Sequence, residues 1–280
     1  MRVLFQYQPK EEVVAYIKSK VHPDTKLAFG DSGNLNQLLS LAGEAEVLVG
    51  WSMPEGLLSK LSKLKVFINP GAGINRLTID LDGRIPPFPI VNSHDNTVLT
   101  AQHAVSLLLA VSSQVVVHHE LMRSGAWRSR DPEGISTPLI GSNIGILGYG
   151  SVGSRIHELL NPFNANFHLL KTKWDIPPTD ATSYTTSELN KFLKAIDQLI
   201  ITLPLTPETV NLIGLEEIKL LGKNGVLINV GRGEIINEEA LYIALKEKYI
   251  KGAGIDVWYN YKPKEDQEGN KFPYSFPFNR

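Results

Sequence analysis

A glycine-rich turn between an apolar run and a helical pattern is the feature that most constrains this chain. Ile144–Leu147 is a short apolar run typical of a buried strand, and the sequence Gly148-Tyr149-Gly150-Ser151-Val152-Gly153 follows it. A helical pattern comes next, with apolar residues on one face as far as Leu160. Strand, glycine turn and helix in this order are the setting in which G-x-G-x-x-G binds a dinucleotide.

Each glycine of the turn has a physical reason to be there. Gly148 permits the tight turn, Gly150 lets the backbone approach a pyrophosphate, and Gly153 lets the helix pack closely on the strand. The free N–H groups and the dipole at the helix N-terminus favour phosphate charge. The turn therefore predicts a dinucleotide site at residues 148–153, and a glycine-rich turn without a ligand is the alternative.

Composition allows two domains and argues against several functional classes. The chain has 280 residues, 42% of them hydrophobic, and a formal net charge of −1, which favours neither nucleic acid nor an anionic membrane as a partner. It has no cysteine, so disulfides, thiolate nucleophiles and cysteine metal sites are excluded. There is no apolar run of about 18 residues, and the start of the chain is not typical of a signal peptide. We therefore expect a cytoplasmic protein.

Apolar runs and helical patterns alternate in two sets, which predicts two α/β units with parallel sheets. Predicted strands of the first set lie at 3–6, 27–29, 47–49, 66–68 and 90–92, and its helices at 11–20, 35–41 and 55–61. Predicted strands of the second set lie at 144–147, 167–171, 199–203, 225–230 and 253–258, and its helices at 152–160, 187–195, 215–221 and 238–248. Between the sets, the nearly uninterrupted apolar stretch from Val98 to Met122 predicts one long helix.

The end of the second strand of the second unit indicates which cofactor binds. Many NAD-binding proteins carry a carboxylate there, about 20 residues after the glycines, which takes the ribose hydroxyl. This chain instead has Lys171, Thr172 and Lys173. Two ammonium groups and a hydroxyl can receive a 2′-phosphate, so we predict NADP(H), with NAD(H) as the second choice. A solvated lysine pair at a strand end is the alternative.

Four further segments point to one family. They are Leu203–Thr209 (LPLTPET), Ile228–Gly233 (INVGRG), Asn237–Leu241 (NEEAL) and Gly254–Trp258 (GIDVW). In this order and spacing after the glycine turn, they closely resemble the D-isomer-specific 2-hydroxyacid dehydrogenases, which include glyoxylate and hydroxypyruvate reductases, phosphoglycerate dehydrogenases and formate dehydrogenases.

The resemblance implies a fold of two doubly wound α/β domains. A flavodoxin-like substrate domain would occupy residues 1–97 and a Rossmann dinucleotide-binding domain residues 126–262. A linking helix at 98–125 would join them, and the segment 263–280 would return toward the substrate domain. The long helix is also a plausible surface for a homodimer.

The resemblance also implies roles for individual residues. Arg232 would hold the substrate carboxylate and polarise the adjacent carbonyl, and its alternative is a loop-stabilising arginine. The substrate loop would be Gly71-Ala72-Gly73-Ile74-Asn75, with the N–H groups of Ala72 and Gly73 binding a carboxylate. Further positions implied to contact the substrate or the cofactor are Asn96 (or a helix cap), Leu203, Pro204, Thr209, Val230, Gly231 and Asp256 (or a buried polar group that fixes the strand end).

The sequence departs from the family at the proton-transfer groups. The resemblance implies a catalytic histidine paired with a glutamate, and Tyr261 stands at the glutamate position here. A tyrosine can hydrogen-bond an imidazole, so we predict that Tyr261 belongs to the catalytic set. All seven histidines precede residue 169 and none lies in a matching Ser/Thr-Pro-His segment. His94 is a weak substitute, and His103 has a family counterpart that we interpret as structural.

Three explanations for the missing histidine stay open. The natural protein extends beyond Arg280, or it is a short form with weak or no reductase activity, or another group supplies the proton. We favour the first, because the chain stops within an aromatic, proline-rich stretch. The expected function is hydride transfer between NADP(H) and a small 2-oxo or 2-hydroxy acid, such as glyoxylate or hydroxypyruvate. The alternatives are a non-catalytic, dinucleotide-sensing protein of the same fold and, more weakly, a formate dehydrogenase.

Overall fold

The computed structural model describes residues 1–74, 77, 80–81, 86–127 and 135–278. The chain divides into two compact units, which we call unit 1 (Met1–Asn96) and unit 2 (Thr97–Arg280). Asn75 of the predicted substrate loop and the last two residues of the predicted C-terminal segment lie outside the described residues.

Unit 1 is a five-stranded parallel sheet with helices. Its elements are β1 (Arg2–Phe5), α1 (Glu11–Lys20), β2 (Lys26–Phe29), α2 (Leu35–Ala42), β3 (Val47–Val49), α3 (Leu57–Lys60), β4 (Val66–Asn69) and β5 (Ile90–Asn92). The strand order β2-β1-β3-β4-β5 is that of flavodoxin-like folds, as expected. Both faces of this sheet carry apolar clusters, centred on Leu4, Leu48 and Phe67 on one face and on Phe5 and Val49 on the other.

Unit 2 contains a six-stranded parallel sheet. Its elements are α4 (Thr97–Ser112), α5 (Val115–Arg123), β6 (Asn143–Leu147), α6 (Ser151–Leu160), β7 (Asn166–Leu170), β8 (Ala181–Tyr184), α7 (Leu189–Lys194), β9 (Gln198–Ile201), α8 (Leu215–Lys219), β10 (Val226–Asn229), α9 (Glu238–Lys246) and β11 (Gly252–Ile255). The strand order β11-β10-β9-β6-β7-β8 is the order of Rossmann dinucleotide-binding folds. Strands β9 and β10 are buried along their whole length, as central parallel strands must be.

The prediction of one long helix from Val98 to Met122 is wrong. The structure has two helices, α4 and α5, bent by 58° at their junction. The carbonyl of Ser112 accepts a hydrogen bond from the N–H of Thr137, and the side chain of Gln114 donates to the carbonyl of Val111. The backbone of Gln114 itself adopts the left-handed conformation, with a φ of 54°. Since these carbonyls are already satisfied from outside the helix, the helical ladder stops here.

The described part of the segment 263–280 packs on α9, and its predicted return toward the substrate domain stays a prediction. Phe276 and Phe278 pack on the ring of Tyr242 in α9, and Phe278 also contacts Trp258. The backbone N–H of Ser275 donates to the carboxylate of Glu238 at the start of the same helix. All of these partners belong to unit 2.

No single helix among the described residues is long and apolar enough to cross a membrane. The bent pair α4 and α5 meets that test by length and composition only when the two helices are taken together.

Candidate cofactor and anion sites

The glycine turn connects β6 to α6 and has the geometry that the motif predicts. Gly148 has a φ of 103°, where a side chain would be strained. A Cβ on Gly153 would collide with the carbonyl oxygen of Gly148, so this glycine allows the close packing of helix on strand. At Gly150 no atom lies within 4 Å of the place of a Cβ, which leaves room for a ligand. The first N–H groups of α6 have no partner within the helix and can bind phosphate.

A pocket of about 380 Å³ adjoins the turn. It is lined by Tyr149, Gly150, Ser151, Ser154, Lys171, Trp174, Asp175, Ile176 and Pro178. The structure therefore brings Lys171 together with the glycine turn. Thr172 and Lys173 are exposed and do not line the pocket, whereas Asp175 does, although the sequence prediction had placed no acid here. The pocket holds one ammonium group and one exposed carboxylate.

Tyr149 forms the wall between this pocket and the core of unit 2. Its ring lies 5.5 Å from that of Trp174, and its hydroxyl is 3.0 Å from Nδ1 of the buried His157. Burial raises the pKa of Tyr149 and lowers the pKa of His157, although Asp180 opposes the latter shift. Lys171 lies above the face of Trp174, with Nζ 5.8 Å from the ring centre. These contacts hold the wall in one shape before any ligand binds.

Leu203, in the loop after β9, lies between the glycine turn and the end of β10. A Cβ on Gly148 would come within 3.0 Å of the Leu203 side chain, and one on Gly231 within 2.6 Å of the Leu203 carbonyl oxygen. The hydroxyl of Thr209 donates to the carbonyl of Pro204 at 2.8 Å and so pins this loop. The predicted cofactor positions Leu203 and Gly231 are thus brought beside the turn, while Thr209 acts on its own loop.

Arg232 follows β10 at the carboxyl edge of the sheet, where doubly wound folds bind ligands. The buried Asn229 accepts from the N–H of Gly231 at 3.0 Å and donates to the carbonyl of Arg232 at 2.9 Å. The guanidinium donates to the carbonyl of Gly231 at 2.6 Å and stays partly exposed. Val230 is buried at the strand end and supports the same turn. The backbone around Arg232 is therefore fixed, and its guanidinium has further N–H donors that can bind a ligand.

In unit 1, the turn Gly71-Ala72-Gly73 after β4 is exposed to solvent. Asn69 donates to the carbonyls of Gly71 and Gly73, at 2.5 Å and 3.1 Å, and Asn92 donates to that of Ala72 at 2.9 Å. Within the described residues, no acceptor is found for the N–H groups of Ala72 and Gly73. The turn can therefore offer both N–H groups to an anion, as the resemblance implies.

The comparisons with known proteins show the family to which this fold belongs. Residues 105–274 match the model of the D-isomer specific 2-hydroxyacid dehydrogenase, NAD binding domain. The chain is 32% identical over 231 residues to a glyoxylate reductase of Aeropyrum pernix, covering 79% of this chain and 68% of that protein.

This chain belongs to the D-isomer specific 2-hydroxyacid dehydrogenase family.

Two further relatives of this family member extend the comparison. It is 30% identical over 237 residues to a D-3-phosphoglycerate dehydrogenase of Methanocaldococcus jannaschii, covering 82% of this chain but only 44% of that protein. A family member of Xanthobacter autotrophicus, solved in complex with NADPH and MES, has a TM-score of 0.79 at 22% identity. That likeness covers 93% of this chain and 82% of the solved one, and it supports the fold.

The sequence did not predict two side-chain pairs of this family member. His103, which we had interpreted as structural, lies on α4 with Nε2 3.1 Å from a carboxylate oxygen of Asp256, just after β11. Both side chains are about half exposed, so Asp256 is not the buried polar group of the alternative interpretation. In unit 1, the ring of Trp51 packs at a tilt against that of Tyr7, with ring centres 4.8 Å apart, and its Nε1 lies 3.7 Å from the place of a Cβ on Gly71. No spacing in the sequence predicts either pair, because the two residues of each pair are brought together by the fold.

Tyr261 and Asn96 are less constrained by their surroundings. Tyr261 is 67% exposed, and within the described residues it has no hydrogen bond or ring contact to a histidine, so its catalytic assignment stays a prediction. The less exposed tyrosine of this segment is Tyr259, which is partly buried, and its pKa is raised by desolvation and by the nearby Glu238. Asn96 is exposed and immediately precedes α4.

Proposed function

We propose that this protein is a reductase that transfers a hydride from NADPH to a small 2-oxo acid of the glyoxylate or hydroxypyruvate kind. One observation within unit 2 carries the proposal: Leu203 contacts both Gly148 of the glycine turn and Gly231, the neighbour of Arg232. A dinucleotide turn and a guanidinium therefore share one edge of the sheet. The names of the glyoxylate reductase and the phosphoglycerate dehydrogenase to which this chain is similar support the same reaction class.

The residues of unit 2 suit the two tasks that this reaction sets. The open space at Gly150 and the free N–H groups of α6 fit a pyrophosphate. A bound reduced nicotinamide supplies the hydride. Arg232 presents paired N–H donors that can hold the substrate carboxylate and stabilise negative charge on the neighbouring carbonyl oxygen. Asp256, at the end of the adjacent strand, can accept a hydrogen bond from an amide group.

Turnover on a panel of 2-oxo acids tests the function. We expect the purified protein to oxidise NADPH with glyoxylate, hydroxypyruvate or pyruvate, and to use NADH less well. Binding of NADPH without turnover of any of these acids would contradict the proposal and favour the non-catalytic dinucleotide-binding alternative. Fluorescence titration with each cofactor measures binding independently of turnover.

The preference for NADP(H) depends on Lys171, the one member of the lysine pair that lines the pocket. Lys171→Ala should weaken NADPH binding about tenfold, because one charge-assisted contact to a 2′-phosphate is lost, and leave NADH binding nearly unchanged. Lys173→Ala removes the same charge two residues away, outside the pocket lining, and should have a smaller effect. Asp175→Asn removes the opposing carboxylate and should strengthen NADPH binding. Equal losses for NADPH and NADH in Lys171→Ala would contradict the assignment.

We further propose that the protein forms a homodimer through α5. This helix buries none of its residues, and Val115, Val116 and Met122 are 55%, 64% and 59% exposed. Trp127, a few residues on, is 72% exposed. A contiguous apolar surface of this kind on one element is typical of an interface. Its position on the helix after α4 is where the family resemblance led us to expect a second copy.

Sedimentation velocity tests the dimer. Val116→Asp should shift the protein from dimer to monomer, because a carboxylate would be buried without a partner in the interface. Val13→Asp on α1 is the matched control, since Val13 is an exposed valine, at 42% exposure, on a helix outside the proposed interface. A wild-type monomer, or a dimer that survives Val116→Asp, would contradict the proposed interface.

A further inference from the structure

The two asparagines at the ends of β4 and β5 are paired across the sheet of unit 1. Asn69 and Asn92 are register partners on these adjacent parallel strands. Each is the last residue of its strand, and each turns its amide toward the Gly71-Ala72-Gly73 turn. Neither residue was assigned a role from the sequence.

The hydrogen bonds of this pair fix the direction of particular N–H groups. In a trans peptide the C=O of one residue and the N–H of the next point in opposite directions. Because Asn69 holds the carbonyl of Gly71, the N–H of Ala72 is turned away from the strand ends. Because Asn92 holds the carbonyl of Ala72, the N–H of Gly73 is turned away as well. These are the same two N–H groups that have no partner among the described residues.

The surroundings of Asn69 indicate a role beyond folding. Its side chain is 1% exposed, and its Oδ1 is buried with no hydrogen-bond partner among the described residues. A buried amide oxygen without a partner is unfavourable, and an apolar residue of similar size would fill the space without that cost. Such local conflicts are expected at functional sites, where an arrangement is kept for what it binds.

We propose that Asn69 and Asn92 are positioning residues for an anion site at the Ala72–Gly73 turn, with the carboxylate of a 2-oxo acid as the ligand. The pair acts through the backbone: it orients two N–H donors before the anion arrives, so that binding does not have to order the turn. This inference rests on the proposed function, since the carboxylate is that of the proposed substrate. It adds Asn69 and Asn92 as the residues that orient the N–H donors of the turn for binding an anion.

Oxalate, a stable dicarboxylate that cannot be reduced by hydride transfer under these conditions, is the probe. In calorimetric titrations of the full chain with saturating NADPH, Asn69→Leu should weaken oxalate binding about tenfold. The carbonyl of Gly73 loses its donor and that of Gly71 keeps the longer 3.3 Å bond from the N–H of Ser93, without a change of charge. Asn92→Ala should weaken it less, since it releases one carbonyl. NADPH affinity should stay within twofold of wild type in both variants.

A matched control separates positioning from folding. Asn34 caps α2 in the same unit by accepting from the N–H of Gln37, and Asn34→Ala should lower stability with no effect on oxalate binding. Oxalate binding by Asn69→Leu and Asn92→Ala at wild-type affinity would overturn the role of the asparagines and leave the proposed function intact. If wild type itself failed to bind oxalate, this inference would fail, and turnover of the 2-oxo acid panel would decide the proposed function separately. Should Asn69→Leu not fold, Asn92→Ala alone carries the test.

Discussion

Replacing Arg232 with alanine is expected to lower kcat/KM for a 2-oxo acid by about 10²–10³-fold, because the variant loses the donor that stabilises charge on the reacting carbonyl. The guanidinium is partly exposed, and among the described residues its one hydrogen bond is to the neighbouring carbonyl of Gly231. Its loss should therefore disturb the fold little. Steady-state kinetics with NADPH measure the effect.

Two comparisons make this result specific. NADPH affinity of Arg232→Ala should stay within about twofold of wild type, because the glycine turn and the pocket do not include Arg232. Arg232→Lys keeps the charge but not the planar pair of donors, and it should recover only part of the activity. Wild-type kcat/KM in Arg232→Ala would remove Arg232 from the catalytic role.

Replacing Gly153 with valine is expected to abolish dinucleotide binding and to destabilise the protein. A Cβ at this position collides with the carbonyl oxygen of Gly148 and lies 3.2 Å from the side chain of Ile146. Both neighbours belong to the strand and turn that carry the site, so neither can move without opening the turn. Overpacking of this kind costs about 1–3 kcal/mol. Thermal unfolding and NADPH titration measure the two effects.

Gly43→Ala provides the control for this substitution. No atom lies within 4 Å of a Cβ on Gly43, and its φ of −58° suits any residue. That variant should be as stable as wild type or slightly more so, because alanine restricts the unfolded chain. NADPH affinity in Gly153→Val equal to that of wild type would contradict the role of close helix–strand packing at the turn.

Local sequence patterns were sufficient for most of the fold. Buried parallel strands such as Gln198–Ile201 are continuous apolar runs, and these are visible without a structure. Strand β8 (Ala181–Tyr184) was missed because it is an edge strand that pairs only with β7 and has a single buried residue. The break at Gln114 was missed for a different reason. It depends on Thr137, which lies more than 20 positions along the chain and donates to the helix from outside.

The candidate sites also differ in whether local sequence is sufficient to predict them. The glycine turn was predictable because six consecutive residues hold its whole geometry. The pairs Asn69–Asn92 and His103–Asp256 were not, because each joins residues that only the sheet register or a helix–strand contact brings together. Asp175 in the pocket beside the glycine turn was missed, since the loop after β7, which carries Trp174 and Asp175, folds back onto that turn.

The division of the chain at Asn96 has a consequence for biosynthesis. Every strand of the first sheet lies between Arg2 and Asn92, so this sheet can close while unit 2 is still being translated. The second sheet cannot close so early, because the backbone N–H of Asn143 in its central strand bonds to Asp197, a sequence separation of 54. At about 5–20 residues per second, β6 waits several seconds for β9, its partner on one side. Nascent unit 2 is therefore the half of the protein for which we expect the greater need of chaperones.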